Sequence, residues 1–367
     1  MSNKLKLILL GLFLVQIGIL IWVRYDYEAQ KSDFEIKLAA YLENPASVRI
    51  LDLQGFELTD LPDDILQFQH VEVINLSYNN FEIIPPILYE LSNLKRLNMS
   101  HNQLNHVILY TSATFTHLDL SHNQLKNIDG QAYVETLKNL NLSHNHLRAF
   151  PSLNVEIDTI NMSFNGLANF RDIAAKFPKN VQHLDLSNNP FHDFRDVQLI
   201  LNSCYSLDLS NNQAGYNSNI STFFNENYLI KKLFLNNCSF ASIETLPASQ
   251  LEILDIGNNK LMINDELVHQ LKLKELNLEK QTLNNIFLVN LSLKELNLID
   301  ISIIGSFEML LPNLEILHAS ESFENLNNFP DLPKLKTIYC YSESATNSTL
   351  LQSKYPNANI IYKLIND

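Results

Sequence analysis

Between Val48 and Tyr341 the chain restates one phrase about fourteen times, most cleanly as Leu118-Asp119-Leu120-Ser121-His122-Asn123-Gln124-Leu125. Extended back to Phe115 it reads L-x-x-L-x-L-x-x-N-x-L, with Phe in the first apolar place. Successive first-apolar residues run from Val48 through Val71, Leu94 and Phe115 to Leu335, at intervals of 20 to 26 residues. A unit this short cannot bury its own apolar residues. Neighbouring units must stack, so the chain is expected to form a solenoid whose function lies on an extended surface.

The position logic is physical. In Leu140-Asn141-Leu142, alternation puts both leucines on one face of a short strand and Asn141 on the other. Stacked units then make a parallel sheet over a continuous core. The recurring Asn stands where the chain turns inward, and its amide can both donate to and accept from backbone groups that would otherwise be buried unpaired. Asn79, Asn102, Asn123, Asn145, Asn165, Asn189, Asn212 and Asn259 fill that place, which Phe56, Cys238, Gln281 and Ile301 take in other units.

This pattern resembles the leucine-rich repeat family, in its bacterial style, over about four fifths of the chain. The resemblance implies an α/β solenoid shaped as a horseshoe, with a parallel concave sheet of about 14–15 strands and a convex side of short helices and irregular turns. Apolar-Pro steps typical of the family occur at Leu61-Pro62, Ile84-Pro85, Phe150-Pro151 and Phe329-Pro330. Paired cysteine caps, frequent on extracellular animal members, are absent.

The expected organisation is a signal anchor over 1–30, a helical cap over 31–47, repeats over 48–347 and a C-terminal cap over 348–367. Ser32 and Glu35 form a candidate capping box, with Phe34, Leu38, Tyr41 and Leu42 on one helix face and Asn44-Pro45 as the stop. Leu350 to Tyr355 and Asn359-Ile360-Ile361-Tyr362 suggest a last helical turn and a closing strand. Leu7 to Val23 is apolar except for Gln16, follows Lys4 and Lys6, and precedes Arg24. That length suits a single membrane span better than a cleaved leader, and no small-x-small cleavage site follows. Basic residues before the span favour a cytoplasmic N-terminus and repeats outside, in the periplasm or beyond the cell. Secretion after cleavage is the alternative.

A net charge of −14 argues against nucleic acid as a partner. Cys204, Cys238 and Cys340 fall on inward positions and are expected to be buried, the first two too far apart for a disulfide. The chain has no phosphate-cradling glycine loop, no C-x-x-C, no H-E-x-x-H and no G-x-S-x-G, and only 8 glycines, so neither catalysis nor a cofactor is expected.

Two surface features stand out. Tyr78, His101, His122, His144 and Phe164 each precede the Asn in five consecutive units and should stack as a ladder. Stacked ring faces do not converge on one ion, so no metal is expected there. The second is the concave face of the later units. There the short polar residues of early units give way to Phe234, Ile253, Ile299, Ile316, Tyr339 and Tyr341, with Glu275, Glu279 and Glu295 between them. Apolar groups clustered on a polar surface suggest a binding site for a protein or peptide, and the carboxylates would select a basic one. An envelope adhesin binding glycan or a neighbouring cell, and a regulatory scaffold for a separate enzyme, are the alternative functions.

Overall fold

In a computed structural model of the chain, residues 32–364 are described except for 111–112, 130–135, 153–155, 179–180, 192, 214–218, 221–229, 244–249, 260, 264–271, 321–329 and 343–348. The expected anchor over 1–30 lies outside the described residues. Among those described, no helix is long and apolar enough to cross a membrane.

The central leucine of each unit sets the architecture. Leu51, Ile74, Leu97, Leu118, Leu140 and Ile160 stand in register on adjacent parallel strands. The row continues through Leu184, Leu207, Leu233 and Leu254 to Ile338 and Ile360. Fifteen strands among the described residues form this one sheet, from Ile50–Asp52 to Asn359–Leu364, each paired with the next unit's strand. Flanking leucines such as Leu53, Leu76 and Leu120 are fully buried, and so are Phe115 in the first apolar place of its unit and Phe68, Phe81 and Phe191 from the returning chain. One continuous core results, a parallel-sheet solenoid.

At the N-terminal end the helix Asp33–Leu42 begins with both bonds of a capping box: Glu35 N donates to Ser32 Oγ at 3.3 Å and Ser32 N to Glu35 Oε2 at 2.9 Å. Its Leu38 joins the core. At the far end the helix Thr349–Lys354 precedes the strand Asn359–Leu364.

The convex side departs from expectation at Val107–Ile108 and Ile128–Asp129, which pair as two short parallel strands, and most strongly in its second half. Early units do return through short helical turns, such as Asp63–Gln67 and Pro86–Glu90 after their Pro steps, and Phe170–Ala174. Later units instead return as strands: Met262–Ile263, Thr282–Val289 and Ser302–Leu310 build a second parallel sheet. The cause is local sequence. Thr282–Val289 carries no proline and alternates, burying Leu283, Ile286 and Leu288, a period-2 pattern that favours strand over helix. A bulge at Asn284–Ile286 re-phases the pairing, with Asn285 at φ 48° facing Gly305 at φ 79°.

Candidate binding face

The Asn position is a backbone connector. Asn145 Oδ1 accepts the Leu125 amide at 2.9 Å, while its Nδ2 donates to the carbonyls of Leu120 at 3.0 Å and Leu142 at 3.1 Å. One side chain thus ties a unit to its predecessor and closes its own turn. Asn79 through Asn259 repeat the arrangement. Two apparent losses in the sequence prove to be substitutions that keep the role, Gln281 in both directions and Cys238 as a donor. Gln281 accepts the Leu261 amide at 2.5 Å and donates to the Ile256 carbonyl at 3.0 Å. The Cys238 thiol donates to the Leu209 carbonyl at 3.1 Å.

The residue before this Asn lies in the left-handed region: Tyr78, His101, His122, His144 and Phe164 all have φ between 53° and 57°. Later units place Asn188, Asn211, Asn237 and Asn258 there, the residue type that tolerates this conformation best. The five rings stack with centroids 4.0 to 4.2 Å apart and planes within 12° of parallel. They form an exposed ladder along one margin of the sheet, with Tyr78 60% and Phe164 47% accessible. Desolvation together with its imidazole neighbours lowers the pKa of His101 and of His144, with Asp119 opposing the shift at His101. The imidazoles lie face to face, and among the described residues no group of three His, Cys, Asp or Glu could hold a metal ion.

On the solvent face of the sheet, the residue in the middle of each Leu-x-Leu step is also structural in the regular units. Asp119 Oδ1 accepts both the backbone N of Ser121 at 2.9 Å and its hydroxyl at 2.7 Å. Asn75, Asn141 and Asn161 hold their serines the same way, and Asp185, Asp208, Asp255, Asn277 and Asn297 accept at least the backbone bond. These turns close the strand, so the early polar row has a structural task beyond keeping the surface soluble. Burial holds the carboxyls of Asp208 and Asp255 above the usual carboxylate range, against those hydrogen bonds.

At Phe234, His318 and Tyr339 that middle place carries a ring instead. All nine residues expected to form the binding face lie on the sheet's solvent side. Phe234, Ile253, Ile299, Ile316, Tyr339 and Tyr341 are half-buried there, as are Glu279 and Glu295, while Glu275 is exposed. Phe234, Ile253, Glu275 and Glu295 share one trough of about 220 Å³ with Asp255 and His318. Glu279 pairs instead with Lys280 at 3.0 Å. Ile299, Ile316, Tyr339 and Tyr341 stand beside the trough rather than lining it.

Two participants escaped sequence reading. His318 Nε2 lies 3.0 Å from Glu295 Oε1, and its ring stacks on Tyr339 at 4.8 Å. Lys363 Nζ sits 4.8 Å from the Tyr339 ring centre and 5.8 Å from that of Tyr341. His318 falls in Leu317-His318-Ala319, where the phrase has decayed. Only alignment of that strand with the Asp column would have exposed it. Lys363 needed the register of the closing strand.

Comparison with known proteins agrees with this geometry. Leucine-rich repeat family models match residues 46–107 and 180–205. Over 200 residues, 51% of the chain, it is 30% identical to Tsukushi of Gallus gallus. The chain spans about half of that relative, 53% of its length. Among solved structures, a leucine-rich repeat protein of Leptospira interrogans superposes with a TM-score of 0.57 at 19% identity, covering 88% of this chain and 98% of that one. YopM, a leucine-rich effector protein from Yersinia pestis, gives 0.55 at 18% identity, covering 86% and 85%. The structural likenesses bear on fold alone; the repeat phrase, its asparagine connectors and the two family matches identify the repeats of this chain as leucine-rich repeats.

Proposed function

We propose that this protein is a non-enzymatic, membrane-anchored repeat protein of bacterial type that binds a protein or peptide on the solvent face of its sheet, outside the cytoplasm. The observation that carries the reading is the change of character along that face. From Asn75 to Asp208 every place in this row closes a strand end, whereas in the later units only Asp255, Asn277 and Asn297 keep that task and Phe234, His318 and Tyr339 present rings instead. Half-buried aromatic and aliphatic groups on an otherwise polar surface are the usual material of a protein contact. Leucine-rich repeat proteins are typical protein-interaction scaffolds, which favours the same use. Glu275, Glu279 and Glu295 favour a basic ligand. Membrane attachment rests on the apolar run Leu7 to Val23 and its flanking Lys4, Lys6 and Arg24.

Topology tests the reading. An epitope tag after Asp367 should be digested by protease added to intact cells, while the intact chain sediments with membranes. A tag protected on the cytoplasmic side would overturn it and favour an intracellular scaffold for a separate enzyme.

A further inference from the structure

The trough between Phe234 and His318 has an internal order that selects a particular ligand. Ile253, Glu275, Glu295 and Ile316 are successive register partners on four adjacent strands, so they form one straight column: apolar, acidic, acidic, apolar. Glu275 and Glu295 sit directly beside each other, an arrangement that repels without a counterion. Among the described residues no lysine or arginine pairs with either. Lys274 is held by Glu252 at 2.5 Å, Lys294 lies 4.0 Å from Glu315, and Lys232, the next residue of the column beyond Ile253, forms no ion pair among the described residues. Among the described residues, the ion-pair partner of Glu295 is His318, at 3.0 Å. Asp255, on the floor of the same trough, is burdened further by Glu279 beyond it.

The spacing of the column completes the description. Strands lie about 4.8 Å apart, which puts the midpoint of the two carboxylates roughly 7 Å from each flanking isoleucine. An extended peptide advances about 6.6–6.8 Å for every two residues, with alternate side chains on one face. The column therefore matches a period-2 ligand: an apolar residue, a cation two positions on, and another apolar residue two positions further.

The geometry points to an extended segment of a partner protein with the pattern apolar-x-Arg/Lys-x-apolar, lying across the strands. Its basic side chain sits between Glu275 and Glu295, and its apolar neighbours rest on Phe234 with Ile253 and on Ile316 with Tyr339. Arginine suits the seat best, because its planar fork can bond both carboxylates at once. This inference rests on the proposal that the solvent face is the binding surface, and it adds what that surface reads.

Panning phage-displayed random nonapeptides against the full-length protein separates the two claims. The comparison chains are Glu275→Gln/Glu295→Gln and Phe234→Ala/Ile316→Ala/Tyr339→Ala, each checked for an unchanged circular dichroism spectrum and melting curve. Enrichment of apolar-x-Arg/Lys-x-apolar sequences, lost on both comparison chains, is the expected result. Replacing the central arginine of an enriched, fluorescently labelled peptide by neutral citrulline should then weaken binding at least about tenfold, read by anisotropy. Peptides that need the aromatic face but carry no basic residue would overturn the cation seat and leave the binding face standing. Peptides indifferent to both comparison chains, or no enrichment at all, would overturn both.

Discussion

The thiol of Cys238 donates to the carbonyl of Leu209 across 3.1 Å, while the Cys238 amide donates to Asn259 Oδ1 across 2.8 Å. A cysteine thus occupies the connector position, donates its backbone N–H to the asparagine of the next unit, and donates a weaker thiol bond back to the unit before. Burial is the main cause of a thiol pKa raised to about 12.

Because that pKa lies above the ordinary thiol value in the unfolded chain, folding favours the protonated form. Stability from this source is complete below about pH 8.5 and is lost as pH rises toward 12. The native protein should therefore resist iodoacetamide at pH 8 at Cys238, with modification appearing only in denaturant. Substitution by alanine removes the thiol bond and the buried sulfur, leaving the Leu209 carbonyl with its bond from Asn212 Nδ2 at 2.7 Å, and should lower stability by about 1 kcal/mol in urea titration. Rapid native alkylation, or a neutral Cys238→Ala, would contradict the connector role.

The ring ladder makes a prediction of opposite sign. The pKa values of His101 and His144 are lowered in the folded state, so the neutral rings are the ones folding favours. Their contribution is present above about pH 6.5 and fades as pH falls below it. The melting temperature should drop more steeply between pH 7 and pH 5 for the native chain than for a His101→Phe/His122→Phe/His144→Phe chain, which keeps the stack without the charges. Parallel curves for the two would show that the ladder does not titrate against folding.

A third prediction concerns the second parallel sheet. Gly305 has φ 79°, and a Cβ added there would run into the Asn285 amide, whose Oδ1 accepts the Ser306 backbone amide at 3.1 Å. Gly305→Ala combines an unfavourable backbone angle with that collision, so about 1–3 kcal/mol of stability should be lost. Exposed Ser306→Ala is the control, since it leaves both features intact. Equal unfolding midpoints for the two variants would mean that the bulge relaxes without penalty.

How much of this was legible in the sequence follows from how local each cause is. The leucine column, the eight asparagine connectors and the Ser32–Glu35 cap are each dictated within one unit, and the structure places them in those roles. The nine face residues also reached the expected side of the sheet, because period-2 alternation survives after the connector is lost. The missed features are relational. Gln281 looks like a defect until its longer amide is seen to reach the same two backbone groups. His318 matters only through Glu295 on the previous strand and Tyr339 on the next. The convex strands depend on two successive returns both adopting the alternation that lets them pair.

The strand-closing turns also divide the face into positions that can drift and positions that cannot. Asn75, Asn98, Asp119, Asn141 and Asn161 are each bonded to the backbone two residues on, so replacing any of them reshapes its own strand end. The parallel column beside them, Val73, Arg96, His117, Asn139 and Thr159, already varies in size and charge from one unit to the next. Anyone wishing to retarget the early half of this surface has that column as a blank strip to rewrite, bordered by a row that the backbone keeps for itself.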